Sequence, residues 1–89
     1  MLIGVPKEIK NNEYRVGITP AGVLELVSAG HQVYIETKAG LAIGLTDLLY
    51  QQAGADIIDT AEQIYAEAEL IVKVKEPQQS EYHLLRPGQ

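Results

Sequence analysis

The sequence predicts an α/β fold in which one parallel sheet carries helices on its faces. Short apolar segments rich in strand-forming residues alternate along the chain with segments of helical periodicity. Residues that cap helices, and glycines that end them, stand at the borders of the helical segments. Strands that alternate with helices favour right-handed crossover connections, and such connections pair strands in parallel.

The first apolar segment, Leu2–Val5, predicts a strand that ends where Pro6 removes a backbone donor. Residues 7–16 follow and are polar and charged, without periodicity of either kind. This segment is expected to be a loop, and its length suggests that it has a function.

Thr19 precedes Pro20, which is the arrangement of an N-cap and a first helical residue. Apolar residues then repeat at helical spacing up to Gly30, so a helix is expected from about 20 to 29. The alternating segment Gln32–Glu36 predicts the second strand.

Thr46 and Asp47 predict the start of a second, short helix that runs toward Gly54. A brief third strand is expected over residues 55–58. Thr60 begins a capping box with the residue three positions later, in which the two side chains satisfy each other's backbone N–H groups.

The third helix is therefore expected over about 60–68, followed by a fourth strand over 70–74 and a last helical turn or two over 80–85. Residues 86–89 have the composition of a turn that leads into another strand. We therefore expect the chain to be the amino-terminal piece of a longer protein.

Composition limits the classes of function. The 89 residues include 12 acidic and 7 basic side chains, and this net charge of −5 argues against a nucleic-acid partner. The absence of cysteine argues against disulfides and thiolate metal sites and favours a cytoplasmic location. No stretch has the length of a membrane span, and no signal peptide is apparent, so no membrane association is expected.

Metal and cofactor sites are not expected in this chain. His31 and His83 have no partner at a metal-binding spacing, and both are predicted to be solvated surface residues. Gly40 and Gly44 do not have the G-x-G-x-x-G spacing of a dinucleotide-binding turn, so they are interpreted as turn glycines.

Lys73 and Lys75 are unusual because side chains alternate across a strand and a parallel strand normally carries apolar residues on both faces. One interpretation is an edge strand that the lysines protect from aggregation. The other is that Lys75 meets an anionic substrate at the carboxyl end of the strand, where open α/β sheets bind ligands.

If the first and fourth strands are neighbours, the loop after the first strand emerges at the same edge as Lys75. Arg15, in that loop, could then converge with Lys75 on one anion. The arginine fork suits a carboxylate, and the lysine ammonium can also donate to a carbonyl oxygen that develops negative charge. The pair predicts a clamp for a 2-oxo or 2-amino acid, although two solvated residues would have the same spacing.

Six segments resemble the amino-terminal part of alanine dehydrogenases, in the alanine dehydrogenase and nicotinamide nucleotide transhydrogenase N-terminal domain family. These segments are Ile3–Glu8, Asn12–Val16, Thr19–Pro20, Glu36–Gly40, Ala53–Ala55 and Val72–Pro77. The nucleotide-binding subunit of proton-translocating transhydrogenases has a similar pattern, but with asparagine at the position of Lys75. The lysine therefore favours the dehydrogenase.

The resemblance implies a reversible, NAD-dependent oxidative deamination of L-alanine to pyruvate and ammonia. Residues 1–89 would be the amino-terminal part of the substrate (catalytic) domain, with a Rossmann-like parallel sheet. NAD would bind to a separate Rossmann domain that is absent from this chain, so the fragment alone is expected to be inactive. The full-length protein is expected to be a homo-oligomer.

The resemblance also implies the roles of individual residues. Arg15 would hold the substrate carboxylate, and Lys75 would be both a substrate-binding and a catalytic residue that polarises the carbonyl or imine carbon. Lys73 would support Lys75 from behind. Two alternatives stay open: the nucleotide-binding domain of a transhydrogenase, and a small non-catalytic α/β domain.

Overall fold

The structure, a computed structural model, describes residues 1–10 and 12–89. The strands within this range are β1 (Leu2–Val5), β2 (Gln32–Glu36), β3 (Asp56–Ile58) and β4 (Leu70–Ile71). The helices are α1 (Pro20–Ser28), α2 (Asp47–Gln52) and α3 (Ala61–Glu67), with 3₁₀ helices at Leu41–Ile43 and Gln79–Leu84. The strands form one sheet in the order β3-β2-β1-β4, and each pair of neighbours is parallel, which confirms the predicted fold class.

The predicted helix starts are correct. The helices α1, α2 and α3 each follow a threonine whose hydroxyl accepts a backbone N–H from the first turn, namely Thr19, Thr46 and Thr60. Gly30 follows α1 with a φ of 94°, a left-handed conformation that stops the helix at little cost for glycine. Local capping chemistry therefore fixes where these helices begin and where α1 ends.

The fourth strand is shorter than predicted, because β4 ends at Ile71 and the sequence predicts a strand over 70–74. The backbone N–H groups of Val74 and Lys75 donate to the side chain of Glu8 and not to a neighbouring strand. The chain therefore leaves the ladder before it reaches the second lysine, and a carboxylate takes over from the sheet as hydrogen-bond acceptor.

Other differences are small. The third strand begins at Asp56, one residue later than predicted, and the predicted final helical turns form a 3₁₀ helix. Of the capping box predicted at Thr60, the structure has the bond from the Gln63 N–H to the Thr60 hydroxyl at 3.3 Å. At the 3₁₀ helix the Gln78 N–H donates to the Glu81 side chain at 2.9 Å. The predicted loop over residues 7–16 contains neither helix nor strand in its described part, and its Asn11 lies outside the described residues.

Helices cover both faces of the sheet. On one face, α1 and α2 pack against the central strands around an apolar core made of Val5, Val23, Val33, Ile35, Ala39, Tyr50 and Ala55. The buried hydroxyl of Tyr50 donates to the carbonyl of Ile18 at 2.7 Å, so its polar end is satisfied. On the other face, α3 buries Ile64 and Tyr65.

The turn at residues 86–89 caps the carboxyl end of α3. The Arg86 side chain donates to the carbonyl oxygens of Tyr65 and Ala68, and the Gln89 side chain donates to the same two atoms. These carbonyls lie in the last turn of the helix and just after it, where backbone acceptors lack partners within the helix. The cationic side chain therefore caps α3 in favourable alignment with its dipole.

Gly4 allows α3 to pack closely on β1. A Cβ atom at this position would lie 2.5 Å from Cγ2 of Ile64 and 2.8 Å from Cβ of Ala68. We expect Gly4→Ala to lower the free energy of unfolding by about 1–3 kcal/mol, the usual cost of overpacking, as measured by urea denaturation.

Ile64→Ala provides the control for this steric account, because it removes the methyl group that the new Cβ would strike. The combined variant Gly4→Ala/Ile64→Ala should therefore be more stable than the sum of the two single effects predicts. Additive losses to within about 0.5 kcal/mol would show that contact with Ile64 is not the cause.

Candidate functional site

The carboxyl ends of β1 and β4 lie side by side, because the two strands are parallel and in register at Gly4 and Ile71. The loops after these ends form a pocket of about 360 Å³, a volume within the range of small-molecule sites. It is lined by Lys10, Asn12, Glu13, Tyr14, Arg15 and Lys75. The structure thus brings together the two cationic residues that the sequence analysis singled out.

A second pocket, of about 290 Å³, also reaches Lys75 and runs along β4. Apolar residues form most of its wall, among them Leu70, Ile71, Pro77 and Leu85. Arg15 lines the first pocket and not this one. We therefore regard the first pocket as the candidate site for an anion.

In that first pocket, the carboxylate of Glu13 lies between the two cations. Its oxygens accept hydrogen bonds from Nε and Nη2 of Arg15, each at 3.0 Å. Nζ of Lys75 lies 3.9 Å from the nearer oxygen. The Glu13 side chain is only 5% exposed, against 66% for Arg15 and 37% for Lys75. The chain's own carboxylate therefore occupies the space between the predicted clamp residues.

Both cations keep hydrogen-bonding capacity for a ligand. Glu13 uses Nε and Nη2 of the Arg15 guanidinium, and no described residue accepts from Nη1. The 3.9 Å contact of Lys75 with Glu13 is too long for a hydrogen bond, so the ammonium donors are not committed there. An added carboxylate could accept from both side chains.

The bonds within the loop also set its protonation states. Hydrogen bonds from the Arg15 side chain, and then from its backbone N–H, lower the pKa of Glu13 from 4.5 to about 2. The same contact raises the pKa of Arg15. Glu13 and Arg15 are therefore both charged across the physiological pH range.

Lys73 lies in surroundings unlike those of Lys75. Its side chain is 5% exposed, and Nζ lies 3.3 Å from Oε1 of Glu8 and 3.3 Å from Oε1 of Glu81. A lysine that guards a strand edge must reach solvent, so this interpretation is wrong for Lys73. The two lysines, expected to share one face of a strand, are separated because the strand ends before them.

A buried cluster therefore forms from Glu8, Lys73, Glu81 and Tyr65, none of which lines the first pocket. The Tyr65 hydroxyl donates to Oε2 of Glu81 at 3.2 Å, and burial, reinforced by the Glu81 charge, raises the pKa of Tyr65. Glu8 and Glu81 are the buried acidic residues in the described part of the chain.

Three acidic residues of this region were not predicted as site residues from the sequence: Glu8, Glu13 and Glu81. Two of them had a usable signal in the sequence. Glu8 follows the end of β1 by three residues and so had to emerge at the same edge as Lys75, and Glu13 precedes Arg15 by two residues. No comparable signal pointed to Glu81, which reaches the cluster from the 3₁₀ helix Gln79–Leu84.

The turn glycines do not fit a dinucleotide. A Cβ at Gly40 would lie 2.8 Å from Cβ of Leu45 and 3.0 Å from Cε2 of Tyr50, so Gly40 faces packed protein and not a ligand crevice. Gly44 has a φ of 83°, which ends the 3₁₀ helix. Packing and turn geometry account for both glycines, and no step that involves NAD is assigned to the described residues.

Other predicted features can be located as well. His83 is exposed, as expected, whereas His31 is half-buried and its Nδ1 has no hydrogen-bond partner among the described residues. Within residues 1–10 and 12–89, no group of three or more His, Cys, Asp or Glu side chains could hold a metal ion. No helix of the described part is long and apolar enough to cross a membrane.

The low pKa of Glu13 can be tested by NMR titration of its side-chain carboxyl between pH 6 and pH 2. Because the folded-state pKa is depressed, the ion pair stabilises the loop fully above pH 4.5, and this contribution is lost as the pH falls toward about 2. Arg15→Met should return the Glu13 midpoint toward 4.5. A midpoint near 4.5 in the unaltered protein would contradict the bidentate contact.

Comparison with known proteins agrees with the geometry. Residues 4–89 match the family model described as "Alanine dehydrogenase/PNT, N-terminal domain". All 89 residues align at 61% identity with an alanine dehydrogenase of Methanococcus maripaludis and at 55% with one of Mycolicibacterium smegmatis. The chain covers 24% of each of these relatives, so it spans about a quarter of their length.

Solved structures give the same result. An L-alanine dehydrogenase matches with a TM-score of 0.93 and 52% identity, over 97% of this chain and 24% of that one. A transhydrogenase from Sinorhizobium meliloti matches with a TM-score of 0.90 and 32% identity, over 99% of this chain and 25% of that one. The resemblance found in the sequence is therefore confirmed, and the chain belongs to the alanine dehydrogenase/PNT N-terminal domain family.

Proposed function

We propose that residues 1–89 form the amino-terminal part of the substrate domain of an alanine dehydrogenase. The reaction is the reversible oxidative deamination of L-alanine, with NAD⁺ and water, to pyruvate, ammonia in the form of ammonium, NADH and a proton. NAD supplies the hydride acceptor and is bound by a domain outside this chain. The identities of 61% and 55% to proteins named alanine dehydrogenase support the proposal.

The observation that carries the proposal is the carboxylate of Glu13 between Arg15 and Lys75. The Glu13 side chain carries a carboxylate, the same chemical group that alanine and pyruvate would bring to Arg15 and Lys75. The fork of Arg15 binds it through two hydrogen bonds of 3.0 Å, the geometry in which guanidinium and carboxylate are most complementary. Alanine and pyruvate both carry a carboxylate, so one clamp serves both directions of the reaction.

In this proposal Arg15 and Lys75 have different roles. Arg15 captures the substrate carboxylate through the Nη1 side of its fork, which Glu13 leaves available. Lys75 pairs with the same carboxylate and donates a hydrogen bond to the carbonyl oxygen of pyruvate, where negative charge grows during the reaction. A donor aimed at that charge stabilises the transition state more than the ground state.

The alternatives are less well supported. A transhydrogenase domain is favoured by the match at 32% identity, but the alanine dehydrogenase relatives are more than half identical to this chain. A small non-catalytic domain would not require two cations around one pocket. A cytoplasmic location, which the absence of cysteine favours, and a homo-oligomeric full-length protein, which the family resemblance implies, belong to the proposal.

Kinetics of single variants in the full-length enzyme test the two roles. Lys75→Ala should lower kcat about 10²- to 10³-fold, the range seen when one donor to a developing oxyanion is removed. Arg15→Ala should chiefly raise KM for alanine and pyruvate, because it removes binding that is common to ground and transition states.

Lys7→Ala is the matched control, since Lys7 is an exposed lysine at the same edge of the sheet and makes its hydrogen bond to Glu36 through the backbone. It should leave kcat/KM within about twofold of the unaltered enzyme, as expected for an exposed surface substitution. Near-normal turnover by Lys75→Ala would rule out the proposed role of Lys75.

A further inference from the structure

We infer that Glu8 is a positioning residue whose buried carboxylate fixes the backbone from which Lys75 reaches the pocket. The inference rests on the proposed function, in which Lys75 binds and polarises the substrate. Glu8 itself does not line the pocket. Any effect of Glu8 on the reaction is therefore indirect, and the route that the hydrogen bonds support is the backbone of Lys75.

The geometry at the end of β4 supports this role. Oε2 of Glu8 accepts the N–H of Val74 at 3.0 Å, and Oε1 lies 3.4 Å from the N–H of Lys75. These two residues are separated from Glu8 by 66 and 67 positions in the chain, so the contact is tertiary and not local. The strand β4 ends at Ile71, with one more hydrogen bond to β1 from the Val72 N–H to the Gly4 carbonyl at 3.0 Å. In the described part of the chain the Glu8 carboxylate then accepts the N–H groups of Val74 and Lys75 in place of a strand.

The side chain of Lys75 cannot fix itself. Its ion-pair contact is with Glu13 at 3.9 Å, and it is 37% exposed. A long and partly solvated lysine samples several rotamers, so the position of its backbone decides which region its ammonium can reach. The two N–H contacts to Glu8 hold that backbone immediately before the side chain, so they determine where the ammonium can reach.

The buried cluster holds Glu8 in turn. The Glu8 side chain is 2% exposed, and a buried carboxylate without a counter-charge would be strongly unfavourable. Lys73, at 3.3 Å, supplies that charge, and it is itself held by Glu81 at 3.3 Å. Buried ion pairs add little to stability when compared with apolar packing, so a requirement for exact position explains this cluster better than stability does.

The test is a double-mutant cycle in the full-length enzyme, with pyruvate as the ligand and its dissociation constant measured by calorimetry. Glu8→Gln keeps the shape of the side chain but loses its charge and one of its two acceptor oxygens. We expect it to weaken pyruvate binding about tenfold, the scale of one lost hydrogen bond to a charged group. In the Lys75→Ala background the same substitution should change the dissociation constant for pyruvate less than about twofold, because the lysine side chain that Glu8 positions is absent.

Glu81→Gln is the stability control. It removes a carboxylate charge beside Lys73 at similar burial, but the hydrogen bonds of Glu81 within the described residues are with Tyr65, Lys73 and Gln78 and not with the backbone of residues 74 and 75. It should lower the thermal unfolding midpoint at least as much as Glu8→Gln does, with a smaller effect on the dissociation constant for pyruvate. If Glu8→Gln does not fold, Glu8→Asp replaces it, because it keeps the charge and withdraws the carboxylate by one methylene.

Kinetics supply a second readout. A merely structural role would reduce the amount of active enzyme and leave KM unchanged, whereas misplacement of Lys75 raises KM and lowers kcat together. Displacement of a reacting group by about 1 Å can lower a rate 10²-fold. Glu8→Ala removes both acceptor oxygens and Glu8→Gln keeps one, so the kcat of Glu8→Ala should be well below that of Glu8→Gln.

Equal weakening of pyruvate binding by Glu8→Gln in both backgrounds would overturn the inference, as would unchanged binding and kinetics in a folded Glu8→Gln enzyme. Failure of the proposed function gives a different result. The Lys75→Ala enzyme would then bind pyruvate and turn over at near-normal levels, with or without a substitution at Glu8. The two failures can therefore be told apart in one set of variants.

Discussion

The parallel pairing of β1 with β4 is the constraint on which the rest of the site depends. It places the carboxyl ends of two strands, distant in sequence, at one edge of the sheet. The Glu8 side chain can then bridge from the end of β1 to the backbone beyond β4, at 3.0 Å from the Val74 N–H. With the opposite strand direction, Arg15 and Lys75 would emerge at opposite edges and could not share a pocket.

Acidic side chains orient the charged groups of Lys73 and Arg15 in this region. Glu8 and Glu81 hold the ammonium of Lys73, and Glu13 holds the guanidinium of Arg15. A cation that is already oriented by a carboxylate loses less rotamer freedom when it binds a ligand, which is the physical advantage of preorganisation.

Local signals predicted the fold well, because each helix has its own capping threonine and each strand its own pattern of residues. The length of β4 was not predictable in this way. The sequence of residues 70–74 continues to favour a strand, and the ladder stops because the distant Glu8 captures the N–H groups of Val74 and Lys75. A pattern of neighbouring residues does not indicate when a side chain distant in sequence will accept the backbone N–H groups of a predicted strand.

The same distinction applies to the site. The convergence of Arg15 and Lys75 followed from strand direction, which the alternation of strands and helices already indicates. The burial of Lys73 did not follow, since its partners Glu8 and Glu81 are supplied by two other segments of the chain. The sequence does not distinguish charged loop residues that are buried from those that are exposed, because burial depends on segments that are distant in the chain.

Charge balance in the pocket explains why Glu13 and a substrate need not exclude each other. Arg15 and Lys75 carry two positive charges, and Glu13, with its pKa lowered to about 2, carries one negative charge. These three groups together keep one positive charge, which a single carboxylate would neutralise. Because Glu13 bonds to Nε and Nη2 of Arg15, the incoming group can take Nη1 and the Lys75 ammonium while Glu13 stays in place. Glu13 can therefore orient the guanidinium of Arg15 both before and after the ligand binds.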